Sequence, residues 1–226
     1  MSHADSTATD PHAGGLVVTA GAELDQARGA VVMMHGRGAT ARDILSLVPA
    51  LDQPHLAYLA PQATDRTWYP NRFLEPLASN EPWLSSALGV IARLLDQIEA
   101  AGIPPARTAL LGFSQGACLA QEFAARNARR YGAVIGLSGG VIGPPGETRH
   151  DHGNLDGSPV FLGCSDIDGH IPKEVVLESA EILRNLGGAV TARLYPGMGH
   201  TINDDEIAMV HGMLARFETP SAANGR

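Results

Sequence analysis

Short apolar runs recur along the chain at residues 16–19, 30–34, 56–59, 108–113, 133–137, 160–162 and 190–195, each soon followed by Gly, Pro, Ser or His. Their length and boundaries predict buried strands. Between them the spacing changes. Leu84, Ala87, Leu88, Ile91, Leu95 and Ile98 recur every three or four positions, which puts them on one face of a helix. Asn80 is the expected cap of that helix, Pro82 fits its first turn, and Gly102 and Pro104 end it. Similar periodicity predicts helices over 115–130, 173–186 and 207–217. In the last, Ile207, Val210, Leu214 and Phe217 form the stripe and Asn203 is the cap.

Buried strands alternating with helices imply right-handed βαβ units and a mostly parallel central sheet flanked by helices, an α/β fold in a single domain. We set that domain at residues 16–218, with a flexible N-terminal tail at 1–15 and a C-terminal tail at 219–226. The stretch 139–158 has Gly, Pro and Asp without a clear period. Loops of that length are often functional or mobile.

Composition narrows the function classes. The 226 residues suit one large domain, and a net charge of −8 disfavours nucleic acid and an anionic membrane surface. No apolar stretch reaches the roughly 18 residues of a membrane span, so no membrane insertion is expected. The first fifteen residues lack the basic start and apolar core of a secretory signal, so a cytoplasmic protein is expected. Cys118 and Cys164 are the only cysteines, too few for a disulfide framework or a cysteine zinc site. Both lie inside apolar elements and read as small buried hydrophobes.

The sharpest chemical signal is Gly112-Phe113-Ser114-Gln115-Gly116, a G-x-S-x-G between a strand and a helix. A turn that tight needs small neighbours, and it lifts the Ser114 oxygen clear of the sheet at the positive end of a helix. A serine hydroxyl needs a base, and the base needs an orienting acid. His200 follows the last strand within Pro196-Gly197-Met198-Gly199-His200 and is better placed than His55 or His211. In the loop after 160–162, Asp166 and Asp168 compete as the acid, and Asp168 is favoured by the Gly169 that follows and by Ile171-Pro172 starting the next helix. The Asp166, Asp168, His170 run and His150-Asp151-His152 also fit metal ligation chemically, but neither has the spacing of a metal motif. No metal and no cofactor are expected. His35-Gly36-Arg37-Gly38 ends a strand as a glycine-rich turn. The Arg37 and Gln115 backbone N–H groups are therefore the expected oxyanion-hole donors, typically worth roughly 3–4 kcal/mol each.

These pieces, with Pro61-Gln62-Ala63, Thr67-Trp68-Tyr69, Leu137-Ser138-Gly139-Gly140 and Gly199-His200, span nearly the whole domain. In that order they resemble the phospholipase/carboxylesterase family of small α/β-hydrolases, which includes acyl-protein thioesterases and lies near dienelactone-hydrolase-like proteins. The resemblance implies a cofactor-free serine carboxylesterase with Ser114, Asp168 and His200 as its triad. It would act on a small-molecule ester with a small to medium acyl group, through an acyl-enzyme. It also implies that Trp68 lies near the substrate pocket, and we place Tyr69, Ile171 and Met198 beside it. Family members occur as monomers and dimers, which leaves a homodimer open.

Two features depart from relatives. Arg37 stands where thioesterases usually carry an apolar residue, which argues against a long acyl chain. Its guanidinium is expected either to favour an acidic substituent on the substrate or to fold outward onto Asp43 or Asp65. Dienelactone hydrolases use a cysteine nucleophile, and here the position is Ser114. The alternatives are a thioesterase or lysophospholipase-type hydrolase, a dienelactone-like hydrolase, and a non-catalytic binding module of the same fold. The last has no need for all three triad residues.

Overall fold

A computed structural model of the chain describes residues 10–149 and 151–217. The expected C-terminal tail, 219–226, and residues 1–9 of the N-terminal one lie outside them. The chain runs β1 (Val17–Gly21), β2 (Gly29–Met34), α1 (Ala41–Leu45), α2 (Val48–Leu51), β3 (Leu56–Pro61), α3 (Trp83–Ala100), β4 (Thr108–Phe113), α4 (Gln115–Arg126), β5 (Ala133–Leu137), β6 (Pro159–Ser165), α5 (Lys173–Asn185), β7 (Ala189–Tyr195) and α6 (Asp204–Leu214). All seven expected strands are present. They form one sheet in the order β1-β3-β2-β4-β5-β6-β7, in which only β1 runs antiparallel to its neighbour. This is the α/β-hydrolase architecture.

Alternation along the central strands feeds two cores. On β2, Ala30, Val32 and Met34 point into the cluster under α3, α4 and α5, whereas Val31 and Met33 join α1, α2 and α6 on the other face. Strands with helices on both faces are apolar at every position, and β2, β3 and β5 are wholly buried. The edge strand β7 alternates exposed with half-buried residues.

Helix ends follow local chemistry. Asn203 caps α6: its side chain accepts the Glu206 N–H, and the Glu206 carboxylate accepts the Asn203 N–H. Such caps contribute about 1 kcal/mol. The expected cap of α3 is a correction. Asn80 is fully buried and turned away, taking the Asn71 N–H on its Oδ1 and donating to the Arg72 carbonyl. Pro82 precedes α3 without a side-chain cap. The helix expected over 115–130 stops at Arg126, where the Asn127 side-chain amide donates to the Phe123 carbonyl.

Two other expectations meet built structure. Residues 10–15 of the supposed tail are held against the domain, with His12 only 2% exposed. The stretch after β5, which crosses to β6 without a helix, is tied down by charge. Glu122 of α4 is completely buried, accepts the Ile142 N–H, and pairs with Arg149 at 3.0 Å. Arg149 also forks onto Asp151. Removing one partner of such a buried pair typically costs about 3–5 kcal/mol. No helix among the described residues is long and apolar enough to cross a membrane.

Candidate active site

The loops that leave the C-terminal ends of β2, β4, β6 and β7 converge on one cleft. The turn from β4 into α4 is the tightest of them. Gly112 and Gly116 pack so closely that a methyl on Gly112 would meet the Gly116 carbonyl oxygen at 2.1 Å. One on Gly116 would meet the Met34 carbonyl oxygen at 2.1 Å. Between them Ser114 takes φ 55° and ψ −120°, a conformation that costs an L-residue on the order of 1–3 kcal/mol. Its N–H is fixed on the Leu137 carbonyl at 2.9 Å.

Ser114 Oγ lies 2.8 Å from His200 Nε2, and His200 Nδ1 lies 2.7 Å from Asp168 Oδ2. The Asp168 side chain has no solvent exposure. Its second oxygen accepts the His170 N–H at 2.8 Å and the Ile171 N–H at 3.1 Å. Burial pushes the Asp168 carboxyl up, but the bonds from His200, His170 and Ile171 outweigh it, and the group ends below its ordinary value. An anion at Asp168 fixes the His200 tautomer with the proton on Nδ1 and leaves Nε2 free to accept from Ser114. Phe113 and His170 flank the His200 ring at centroid distances of 5.0 and 4.8 Å.

Asp166, the competing carboxylate, does different work. It accepts the Gly197 N–H at 2.8 Å and so anchors the loop that carries His200. In the second run considered for metal ligation, Asp151 is taken by Arg149, and His150 lies outside the described residues.

Gln115 opens α4, so its N–H is among those a helix leaves unpaired. No hydrogen bond from the Gln115 or Arg37 N–H is found among the described residues. The Gln115 side chain is buried and clamps the neighbouring loop, accepting the Trp68 N–H at 3.0 Å and donating to the Tyr69 carbonyl at 2.7 Å. The Arg37 guanidinium does not fold outward onto Asp43 or Asp65. It donates to the carbonyls of Pro70, Tyr69 and Asn71 at 2.9, 2.9 and 2.7 Å, while Asp43 serves Thr40 at the start of α1. Arg37 is thus a strap across the cleft wall.

The cleft holds a cavity of about 820 Å³ in contact with Ser114 and His200. Of the four expected pocket residues, Tyr69 and Ile171 line it, as do the two expected oxyanion donors, Arg37 and Gln115. Trp68 does not: it is fully buried, with its indole N–H on the His35 carbonyl at 2.9 Å, because an indole donor in the interior needs a partner. Met198 does not line it either, its sulfur instead receiving the Asn203 amide. Residues 71–73, Glu75, Ser79 and His170 are among the wall residues that were not foreseen. They sit in irregular backbone or, for Ser79, in the single 3-10 turn Leu77–Asn80, where no periodicity marks a facing side. Cys118, one turn along α4 from Ser114, also lines the cavity, but burial pushes its thiol up to about 12 and leaves it protonated.

A family model described as phospholipase/carboxylesterase matches residues 16–217. A solved phospholipase/carboxylesterase from Dyadobacter fermentans is 42% identical, with a TM-score of 0.86 over 89% of this chain and 97% of that one. Acyl-protein thioesterase 1 of Saccharomyces cerevisiae is 25% identical over 82% of this chain and 91% of its own. The protein of the same name from Gibberella zeae is 30% identical over 136 residues, 56% of this chain and 55% of that protein, so the match spans about half of each.

Proposed function

The chain belongs to the phospholipase/carboxylesterase family, and from that premise we propose that it is a serine carboxylesterase whose nucleophile is Ser114. The observation that carries this reading is the unbroken relay from Ser114 Oγ through the His200 ring to Asp168, at 2.8 and 2.7 Å. In the first half-reaction Ser114 Oγ attacks the ester carbonyl carbon and its proton passes to His200 Nε2. Asp168 stabilises the imidazolium through Nδ1–H. The carbonyl oxygen becomes an oxyanion facing the Gln115 and Arg37 N–H groups, which need no reorganisation to receive it. Collapse expels the alcohol, protonated from Nε2, and leaves Ser114 acylated. Water then attacks the acyl carbon, His200 takes its proton and returns it to Ser114 Oγ as that oxygen leaves, and the acid departs.

The substrate is a small-molecule ester. A guanidinium in the wall of the cavity favours small to medium acyl groups over long alkyl chains. The thioesterase relatives favour a second reading, thioester cleavage by the same residues. We further infer a cytoplasmic enzyme without a nucleic-acid partner, which the net charge of −8 supports.

A chain-length series of nitrophenyl esters, with matched thioesters, tests the reading in native protein and Ser114→Ala. The expected result is best turnover on short acyl esters and a loss on the order of 10⁴–10⁶ in the variant. Best turnover on long chains would overturn the substrate range, and a variant retaining a tenth of the activity would overturn the nucleophile.

A further inference from the structure

Residues 10–15 precede the stretch matched by the family model, yet His12 is buried between two indoles. Its ring centroid lies 5.5 Å from that of Trp68 and 5.4 Å from that of Trp83. Its backbone N–H donates to Ser86 Oγ of α3 at 2.9 Å. The partners of the ring assign its protons. Nε2 is 2.9 Å from the Trp68 carbonyl, which only accepts, so Nε2 donates. Nδ1 is 3.2 Å from the Thr64 N–H, which only donates, so Nδ1 accepts. His12 is therefore neutral, with its proton on Nε2.

A second buried imidazole lies against Trp68. The His35 ring centroid is 5.0 Å from the indole. Its Nδ1 donates to the Gly36 carbonyl at 2.8 Å, and its Nε2 accepts the Ala63 N–H at 3.2 Å. His35 is neutral as well, with the opposite tautomer. Trp68 joins the two: His12 holds its carbonyl, and its indole N–H holds the His35 carbonyl at 2.9 Å. That carbonyl opens the turn that presents the Arg37 N–H. The Trp68 backbone N–H ends on the Gln115 side chain, at the other proposed donor.

We infer that His12 is a positioning residue for the oxyanion hole: residues 10–15 form a strap that fixes Trp68 and, through it, the turn carrying the Arg37 N–H. The inference rests on the assignment of Ser114, Arg37 and Gln115 above. A gain of a proton by either imidazole would set N–H against N–H. Burial accordingly holds both rings below their ordinary value. The charged groups around His12 are Asp10 on its own segment and Arg93 of α3, which pair at 3.5 Å. Around His35 the charged group is Asp43 of α1, and the titratable neighbour is His12 itself.

The test compares His12→Ala and His12→Gln in the full chain. Glutamine supplies an amide N–H for the Trp68 carbonyl and does not titrate. Measured on nitrophenyl acetate, His12→Ala should lower kcat about tenfold, short of the 10²–10³ lost with a whole oxyanion donor, and leave KM within about threefold. Binding of phenylboronic acid, whose boronate oxygen occupies the oxyanion site once the serine adds to boron, should weaken in parallel. His12→Gln should recover kcat to within about threefold of native. Unchanged kcat and boronate affinity in folded His12→Ala, an effect on KM alone, or no recovery in His12→Gln would each overturn the inference. Should His12→Ala fail to fold, Trp68→Phe, which removes the indole N–H and keeps an aromatic ring, takes its place. A parallel loss of kcat and boronate affinity in Trp68→Phe would support the inference, and native values of both would overturn it. An active Ser114→Ala would instead sink the underlying assignment, so the two failures are distinguishable.

Discussion

On one side of the cleft, Ser114, His200 and Asp168 pass a hydrogen bond from side chain to side chain. On the other, the proposed donors are two backbone N–H groups, and the side chains of the same residues hold a loop: Arg37 on three carbonyls, Gln115 on Trp68 and Tyr69. A side-chain relay demands particular residue types at its own positions. A backbone donor can come from any residue except proline, so what specifies it lies behind it, in Trp68, His35 and His12. One wall is held by what its residues are, the other by what supports them.

The contrast is tested hardest at the acid. Asp168→Asn should cost about 10⁴ in kcat, because an amide neither fixes the His200 tautomer nor stabilises its imidazolium. Asp166→Asn, which weakens only the Gly197 contact, should cost about tenfold or less. Equal losses measured on one ester would erase the distinction between reacting and supporting carboxylates.

A smaller effect lies in stability against pH, where the two walls carry buried groups of opposite sign. The folded state holds His12 and His35 below the ordinary histidine value near 6.5, so the unfolded chain takes up the protons first. Their contribution is intact above about 6.5 and is lost as pH falls below it. Under β6, Glu206 is fully buried with one carboxyl oxygen unpartnered. Burial, against the Asn203 N–H and helped by Asp205, pushes it from 4.5 up to about 7. Here the folded state binds the proton more tightly, so stability is present below about 4.5 and is lost as pH rises through 7. Thermal melts should show His12→Gln softening the acid-side fall. They should also show Glu206→Gln, which keeps the capping geometry, gaining on native by on the order of 5 °C between pH 5 and 8. Parallel native and variant profiles across that range would contradict both signs.

Much of this was legible in the sequence for reasons tied to the same contrast. Central strands buried on both faces read as continuous apolar runs, and β2, β4 and β5 lie where those runs lie. Ser114 was visible because Gly112 and Gly116 are required by contacts no larger residue allows, and His200 because it ends a glycine-rich loop after the last strand. What stayed hidden depends on long-range partners. Asn80 has the chemistry of a cap but is recruited by Asn71 and Arg72. Trp68 is placed at the pocket by the resemblance alone, and its place in the core is decided by the His35 carbonyl. His12 sits in a polar, glycine-flanked stretch without periodicity, and only the fold brings it to Trp68 and Trp83.

Everything proposed for the cleft depends on Ser114 being the nucleophile and on its activation by His200. Mass-spectrometric mapping of a fluorophosphonate adduct on native protein, His200→Ala and Ser114→Ala addresses both at once. We expect one adduct in the native protein, on Ser114. Labelling should slow by orders of magnitude in His200→Ala and disappear in Ser114→Ala. An adduct on Cys118 or any other residue, or undiminished labelling without His200, would refute the assignment.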